Sequence, residues 1–186
     1  MSRWEPDARG RLERAALELY LERGYDQTTV AEIAQRAGLT ERTFFRHFAD
    51  KREVLFRGDE MARAIVALLE DVPPSVAPLD AVGAALESWS EFFDDRRPYS
   101  KNRQAVIDAN PALQERELIK LDSMATMIAA ALRDRGATAS AAALTAQAGV
   151  AVLKVAFQRW LDDPSNQVLA VHIRAALAEL KAVTQA

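Results

Sequence analysis

The chain has 186 residues, of which 49% are hydrophobic and 27% charged, a composition typical of a soluble globular protein rather than a disordered one. It contains no cysteine, which excludes disulfide bonds and thiolate metal sites, and its two histidines, His47 and His172, are far apart in the sequence. No apolar run reaches the roughly 18 residues that span a bilayer, and the first ten residues lack the core of a signal peptide. We therefore expect a cytoplasmic protein with no metal, no cofactor and no membrane contact.

The net charge of −3 is unevenly distributed along the chain. Residues 1–57 carry a net charge of +1 and the remainder carries −4. Residues 36–57 alone contain six basic and three acidic side chains, a local charge of +3. Such an excess is expected where one end of an acidic protein meets phosphate, although a solvated charged surface gives the same pattern.

The N-terminal third of the chain predicts three short helices and the start of a longer one. Apolar residues recur from Leu12 to Tyr20 at the spacing of a half-buried helix that ends at Gly24. Thr29 and Glu32 form a capping box that begins the second helix. Thr40 caps a short third helix ending near Phe48, and a second capping box at residues 50–53 opens a connecting helix over 51–70.

The remaining sequence also predicts helices. Prolines at positions 73, 74 and 78 mark a linker, since proline cannot continue a helical hydrogen-bond ladder. Beyond it, the apolar periodicity and the breaks between segments predict helices at residues 79–95, 99–109, 111–135, 140–162 and 165–184. No segment alternates as a strand does. The sequence therefore predicts an all-α fold of about nine helices, with one domain at residues 1–57 and a larger one at 58–186.

The second and third helices have the spacing of a helix-turn-helix motif. Ala34 and Gly38 lie four residues apart, where a small residue lets the helices approach and glycine allows the tight turn. Phe44 and Phe48 share one side of the third helix and are predicted to face the core. This places Glu41, Arg42, Phe45 and Arg46 on the outward side, with the hydrogen-bonding chemistry that reads a DNA major groove.

The N-terminal sequence resembles the TetR family of transcriptional regulators. The resemblance is carried by residues 16–20 (ALELY), 24–30 (GYDQTTV), 32–40 (EIAQRAGLT) and 43–48 (TFFRHF), followed by Lys51. It is detailed over residues 10–57 and extends to the rest of the chain as architecture alone. It implies a DNA-binding domain followed by a helical body that binds a ligand and forms a homodimer.

The resemblance also implies roles for individual residues. Thr29, His47 and Lys51 fall where family members touch phosphate. The recognition helix would carry the remaining DNA contacts, namely Thr40, Glu41, Arg42, Thr43, Phe45 and Arg46. Many members have a tyrosine in place of Phe45 and use its hydroxyl on the DNA backbone. Phe45 lacks that donor, so it would contact a thymine methyl group or pack in the core.

The last two predicted helices are the candidates for a dimer interface. The helix at 140–162 has one apolar side from Leu144 to Val155 and another from Val150 to Trp160. One side can meet the core and the other a partner. Because the family usually dimerises through its final two helices, we expect a homodimer through residues 140–162 and 165–184, the alternative being a wholly intramolecular bundle.

The body contains aromatic and methionine side chains that would line a ligand pocket or simply form the core. They are Trp89, Phe92, Phe93, Ile107, Met124, Met127, Ile128, Phe157 and Trp160. Residues 102–118 are weakly similar to actinobacterial regulators, some of which sense fatty-acyl thioesters. Arg103 would pair with an acidic group of such a ligand, or else lie at the surface.

These residues favour one of three functions. The favoured one is a homodimeric repressor that binds a near-palindromic double-stranded operator and is released by a small apolar or amphipathic effector. The alternative is a helical adaptor that binds only protein. An enzyme is disfavoured because the chain has no glycine-rich phosphate loop, no cysteine and no histidine pair at ligand spacing.

Overall fold

The computed structural model describes residues 7–56, 59–93 and 95–185, and within these ranges the chain is helical without a strand. Nine α-helices are present there: α1 (Ala8–Arg23), α2 (Val30–Arg36), α3 (Glu41–His47), α4 (Glu60–Glu70), α5 (Pro78–Ser90), α6 (Arg97–Asp108), α7 (Pro111–Asp134), α8 (Ala139–Asp162) and α9 (Leu169–Gln185). Two short 3₁₀ turns occupy Glu53–Leu55 and Glu91–Phe93. The predicted all-α fold with nine helices is confirmed.

The local signals that predicted the helix ends act as expected in the first three helices. Gly24 follows α1 with a φ of +91°, a conformation that favours glycine. The Thr29 hydroxyl accepts from the Glu32 amide while the Glu32 carboxylate accepts from the Thr29 amide, so the capping box at α2 is complete. The Thr40 hydroxyl caps α3 by accepting from the Thr43 amide.

The connecting helix is shorter than predicted. It was expected over residues 51–70, but α4 begins at Glu60. The Asp50 carboxylate accepts from the amides of Arg52 and Glu53, yet it caps only the 3₁₀ turn at Glu53–Leu55. Phe56 then takes an extended conformation (φ −120°, ψ 126°) and is buried, which ends the helical run.

The chain forms two compact units that differ from the predicted domains. Residues 99–118 group with the N-terminal residues up to 58, and the second unit consists of 59–98 and 119–186. The predicted second domain, 58–186, includes these residues, which are most of α6 and the start of α7. The reason for the difference is burial, because Val106, Ile107 and Leu113 lie in one core with Leu12 and Phe44.

In the second unit, α5 packs closely on α8 and α9. A side chain on Gly149 of α8 would approach Val82 of α5 to within 2.5 Å, and one on Gly83 of α5 would collide with Leu177 of α9. The core around these contacts is rich in alanine, which allows helices to approach closely. α5, α8 and α9 thus form the tightly packed part of this unit.

The expectation that no segment is long and apolar enough to cross a membrane is corrected by α8, which meets that limit by length and composition. Buried helices of soluble proteins meet the same limit, and 39% of its most apolar stretch is buried in the second unit. Part of its apolar character is therefore explained by packing.

Candidate DNA-binding surface and ligand site

The turn between α2 and α3 is held in place by three interactions. Gly38 has a φ of +66°, and the Leu39 amide donates to the Ala34 carbonyl at 2.8 Å. The Arg11 guanidinium of α1 donates to the Ala37 carbonyl at the end of α2. The helix-turn-helix geometry is thus fixed by backbone conformation and by a cation from outside the motif.

The side of α3 that points away from the core carries the predicted reading residues. Phe44 is fully buried, whereas the neighbouring Phe45 is 55% exposed and meets the Phe44 ring edge-on. The other predicted DNA contacts are also at the surface: Thr29, Thr40, Glu41, Arg42, Arg46 and His47 are exposed, and Thr43 and Lys51 are partly exposed. The structure brings the predicted residues together in one unit.

The basic residues of this region differ in how they are engaged. Arg36 pairs with Glu22 at 2.7 Å, and Arg52 pairs with Asp50 at 2.6 Å, lowering the pKa of the Asp50 carboxyl. Arg42 and Arg46 form no ion pair or hydrogen bond with any residue in the described ranges. Their guanidinium groups therefore remain available for an outside acceptor.

His47 lies beside further positive charge. Partial burial lowers the pKa of its imidazole, and the charges of Arg46 and Arg9 lower the pKa further. Arg9 also lies 5.5 Å from the centre of the Phe48 ring. Sequence reasoning missed Arg9 because it is 38 residues away from His47 along the chain, and no local pattern links the two.

Lys51 is placed differently from the other predicted contacts. Its ammonium donates to the carbonyls of Tyr25 and Thr28 at 3.0 and 3.1 Å, with the Asp26 carbonyl at 3.5 Å. The hydroxyls of Thr29 and Thr40 are also engaged within the protein, with Glu32 and Thr43 respectively. These three side chains therefore bond within the protein, unlike those of Arg42 and Arg46.

Seven of the ten predicted pocket residues lie in a single cluster in the second unit. They are Trp89, Phe93, Met124, Met127, Ile128, Phe157 and Trp160. Phe93 is at its centre, with ring centroids 4.7 Å from Trp89, 5.7 Å from Phe157 and 6.0 Å from Trp160. In the part of the chain that the structure describes, no three His, Asp or Glu side chains come together as a metal site would require.

Three predicted pocket residues lie elsewhere. Phe92 is 43% exposed, with the Arg96 guanidinium 3.8 Å from its ring centre. Ile107 is fully buried in the core of the first unit and is not a member of the core that contains the aromatic cluster. Arg103 is in the first unit too, where it donates to the Leu55 carbonyl at 2.8 Å. All of α6 was predicted to lie in the body, whereas Arg103 and Ile107 belong to the first unit, so their part in a ligand pocket stays a prediction.

α8 has an apolar side that its own unit leaves uncovered. Leu144 is 71% exposed and Val155 is 45% exposed, and the alanines between them at positions 148 and 151 are on the same side. On α9, Val183 is 76% exposed. Arg159 and Glu179 join the two helices through a bidentate ion pair at 2.8 Å. α8 and α9 therefore present an apolar surface edged by paired charges.

Family models match both ends of this arrangement. Residues 13–57 match the model of bacterial regulatory proteins of the tetR family. Residues 76–185, more than half of the chain, match the model of the MftR C-terminal domain. The chain belongs to the TetR family. It is therefore a transcriptional regulator with a helix-turn-helix DNA-binding domain and an MftR-like C-terminal domain.

Individual relatives agree with this assignment. The TetR-family chain is 43% identical over 81 residues to the HTH-type transcriptional regulator TcmR of Streptomyces glaucescens, a match covering 43% of this chain and 36% of TcmR. It is 29% identical over 155 residues to MftR of Mycobacterium tuberculosis, a regulator provisionally assigned to mycofactocin biosynthesis, covering 81% of this chain and 78% of MftR. The first match thus spans about a third of TcmR.

The fold is shared with solved TetR-family structures. The regulator FadR of Bacillus subtilis, crystallised with stearoyl-CoA, superposes with a TM-score of 0.60 at 17% identity, covering 91% of this chain and 95% of FadR. At this identity the likeness concerns the fold.

Proposed function

We propose that this TetR-family regulator is a homodimer that binds a near-palindromic operator in the cytoplasm and acts as a repressor released by a small apolar or amphipathic effector. The observation that carries the DNA-binding part is the outward side of α3. There, Arg42, Phe45 and Arg46 are exposed while the adjacent Phe44 is fully buried. Arginine can donate in pairs to guanine, and a phenyl ring suits a thymine methyl.

Binding to the DNA upstream of its own gene tests this proposal. Titration followed by fluorescence anisotropy should give specific binding that weakens steeply with salt, because phosphate contacts release counterions. Arg42→Ala combined with Arg46→Ala should weaken it by about 1–3 kcal/mol for each arginine that contacts guanine.

A matched control removes two other arginines, both in the second unit. Arg63 and Arg133 are both exposed, so Arg63→Ala combined with Arg133→Ala should retain operator affinity. Equal operator affinity of both double variants would show that Arg42 and Arg46 do not contact the operator, and a wild type without specific binding would favour the adaptor that binds only protein.

The exposed side of α8 supports a homodimer through α8 and α9. Leu144, Ala148, Ala151 and Val155 recur at intervals of four, three and four residues, the spacing of a seam between packed helices. A second copy would remove this apolar surface from water and place two α3 helices to read two half-sites. A dimer interface would thus explain why α8 has an apolar side that its own unit leaves exposed.

The dimer is tested by Leu144→Glu combined with Val155→Glu. Light scattering should show a monomer. Operator affinity should fall because each DNA-binding domain then binds its half-site alone. Leu118→Glu is the control, since Leu118 is 57% exposed on α7 outside this surface and the variant should remain dimeric. A double variant that stays dimeric would refute this interface.

The aromatic and methionine cluster supports the effector site. Methionine side chains adapt to irregular apolar ligands, and Met127, Phe93 and Phe157 are only partly buried. A protein with the same fold, FadR, is crystallised with stearoyl-CoA, so a long-chain acyl thioester is the first probe. Release requires that the probe bind more tightly to the conformation that does not bind DNA. A probe with equal affinity for both conformations would not shift the equilibrium between them.

Tryptophan fluorescence reports on this site because Trp89 and Trp160 both lie in the cluster. Stearoyl-CoA, but not free CoA, should change the emission and displace the operator. Met127→Glu should abolish both effects, whereas Ile119→Glu, at a position 48% exposed on the same helix, should not. No response to any apolar probe would contradict the effector proposal alone.

A further inference from the structure

Lys51 follows α3 in the chain, but its side chain reaches the loop between α1 and α2. Three carbonyl oxygens converge on its ammonium: those of Tyr25 at 3.0 Å, Thr28 at 3.1 Å and Asp26 at 3.5 Å. An ammonium group has three N–H donors. The surrounding backbone therefore offers one acceptor for each.

The same lysine is attached to α1 through two tyrosines. Its ammonium lies 4.3 Å from the centre of the Tyr25 ring, a cation–π distance. Tyr25 packs edge-on against Tyr20 at 5.2 Å, and the Tyr20 hydroxyl donates to the Lys51 carbonyl at 2.7 Å. Both tyrosines are buried in the core of the first unit, so the backbone and the ammonium of Lys51 are both held against that core.

The loop that Lys51 holds determines where α2 begins. The buried Thr28 donates its hydroxyl to the Gly24 carbonyl at 2.8 Å, and Thr29 is the cap of α2. The side chain of Thr29 is one of the proposed phosphate contacts and is exposed. Displacement of the loop would therefore move Thr29 and with it the proposed phosphate contact.

We infer that Lys51 is a positioning residue, which fixes the Tyr25–Thr28 loop and through it Thr29, and that its ammonium does not bind a DNA phosphate directly. This inference rests on the proposed DNA binding, and it departs from the contact that the family resemblance implies for this position. A phosphate would have to compete with three backbone carbonyls for the same donors.

A double-mutant cycle separates the two roles. Operator affinity is measured for wild type, Lys51→Met, Thr29→Ala and the double variant, with urea unfolding of each protein to correct for any unfolded fraction. We expect each single variant to lose about tenfold in affinity, the size of one charge-assisted hydrogen bond. The operator affinity of the double variant should be no lower than that of the single variant with the lower affinity, because both substitutions remove the same contact.

The salt dependence gives a second measurement on the same proteins. Loss of a lysine that neutralises a phosphate lowers the slope of log affinity against log salt by about 0.9 per DNA-binding domain. Loss of a positioning residue costs only the contact of the uncharged Thr29, so the slope stays as in wild type. Independent losses that multiply in the double variant, together with a reduced slope, would overturn the inference. If Lys51→Met does not fold, Lys51→Arg takes its place. Its planar guanidinium keeps the charge but cannot fill three converging acceptors, so affinity should still fall.

Hydrogen exchange of the DNA-free protein keeps this inference distinguishable from the proposed function. Amides of residues 26–29 should exchange faster in Lys51→Met than in wild type while those of α3 change little. Unchanged exchange with normal wild-type binding would overturn the positioning role alone. Absence of specific binding by wild type would overturn the proposed function and this role with it.

Discussion

At the scale of single residues, Phe44 and Phe45 show how one helix turn divides packing from recognition. Successive side chains on an α-helix are about 100° apart, so neighbouring phenylalanines point to different surroundings. Phe44 is fully buried and packs against Phe48 at 5.3 Å, whereas Phe45 is 55% exposed. Phe45 therefore contributes little to the core, and an exposed ring between two arginines suits a contact with DNA.

Phe45→Ala should weaken operator binding by about tenfold while changing the free energy of unfolding by less than about 0.5 kcal/mol, as is usual for exposed positions. The contacted base is found by replacing single thymines with uracil, which lacks the methyl group. Wild type should lose affinity at one such position per half-site and Phe45→Ala should not. Equal sensitivity of the two proteins would show that the ring does not touch a methyl group. Phe44→Ala, in contrast, should destabilise the fold by about 3–5 kcal/mol.

His47 should make DNA binding dependent on pH. In the free protein, burial and the charges of Arg46 and Arg9 lower the pKa of His47, so the imidazole is mainly neutral at pH 7. A phosphate next to it would raise the pKa, so binding would take up a proton. Operator affinity at constant ionic strength should then increase as the pH falls from 8 to 6.

The matched variants for this prediction are the two histidines. His47→Gln should flatten the pH dependence, while His172→Gln, in the second unit, should retain it. Identical curves for wild type and His47→Gln would place the titrating group elsewhere.

At the scale of elements, several helix ends are completed by arginines from distant parts of the chain. The last carbonyls of a helix lack partners within it, and a guanidinium offers five donors that the helix dipole favours there. Arg11 donates to the Ala37 carbonyl at the end of α2, and Arg135 donates to the Leu69 carbonyl at the end of α4. Arg97 donates to the carbonyls of Trp160 and Asp163 at the end of α8.

Arg135→Met should lower the free energy of unfolding by about 1–3 kcal/mol, because it leaves carbonyls without their donor. In wild type the guanidinium donates to Leu69 at 3.0 Å, Val72 at 2.7 Å and Pro73 at 2.9 Å. Urea denaturation measures the change. The control is Arg133→Met, two residues earlier on α7 and exposed, which should unfold as wild type does. Equal stability of the two variants would show that these hydrogen bonds add nothing beyond what water supplies.

The elements that the sequence predicted best are those whose signals are local. The caps at Thr29 and Thr40 bond within three residues of themselves, so their pattern is visible in the sequence. The start of α4 was predicted nine residues too early because an Asp50 cap is satisfied equally by a 3₁₀ turn. The break comes from Phe56, which is buried under Arg103 at 5.1 Å, a contact between residues 47 positions apart.

At the scale of the whole molecule, the site residues that were predicted are those placed by local sequence, and those that were missed are held by residues distant in the chain. Helical periodicity alone places Arg42, Phe45 and Arg46 on one side once Phe44 is taken as core. Arg103 could not be placed in this way, because it is held by the Leu55 carbonyl and by Glu117 at 3.6 Å. Desolvation lowers the pKa of Arg103, and the Glu117 carboxylate opposes that shift, so the pair depends on tertiary packing.

The grouping of residues 99–118 with the N-terminal helices changes what counts as the DNA-binding unit. α7 contributes residues 111–118 to the first unit and the rest of its length to the second. Met124 and Ile128 of the aromatic and methionine cluster are on the same helix. One continuous helix therefore carries both a core residue of the DNA-binding unit, Leu113, and the proposed effector contacts.

A fragment consisting of residues 1–58 should consequently fail to fold, although it contains the entire helix-turn-helix motif. It lacks Val106, Ile107 and Leu113, which are at most 5% exposed in the core that also holds Leu12 and Phe44. A chain of this length buries little surface and is marginally stable even with a complete core. Circular dichroism should therefore show no cooperative thermal transition for the fragment.

The full chain provides the quantitative form of this prediction. Ile107→Ala should destabilise the protein by about 2–5 kcal/mol through loss of buried surface and creation of a cavity, and it should weaken operator binding as the supporting core loosens. Ile119→Ala, at a position 48% exposed on α7, is the matched control and should leave both properties near wild type. A cooperatively melting fragment, or operator binding unaffected by Ile107→Ala, would show that the first 58 residues form a complete unit. α6 would then contribute nothing to the stability of the DNA-binding unit.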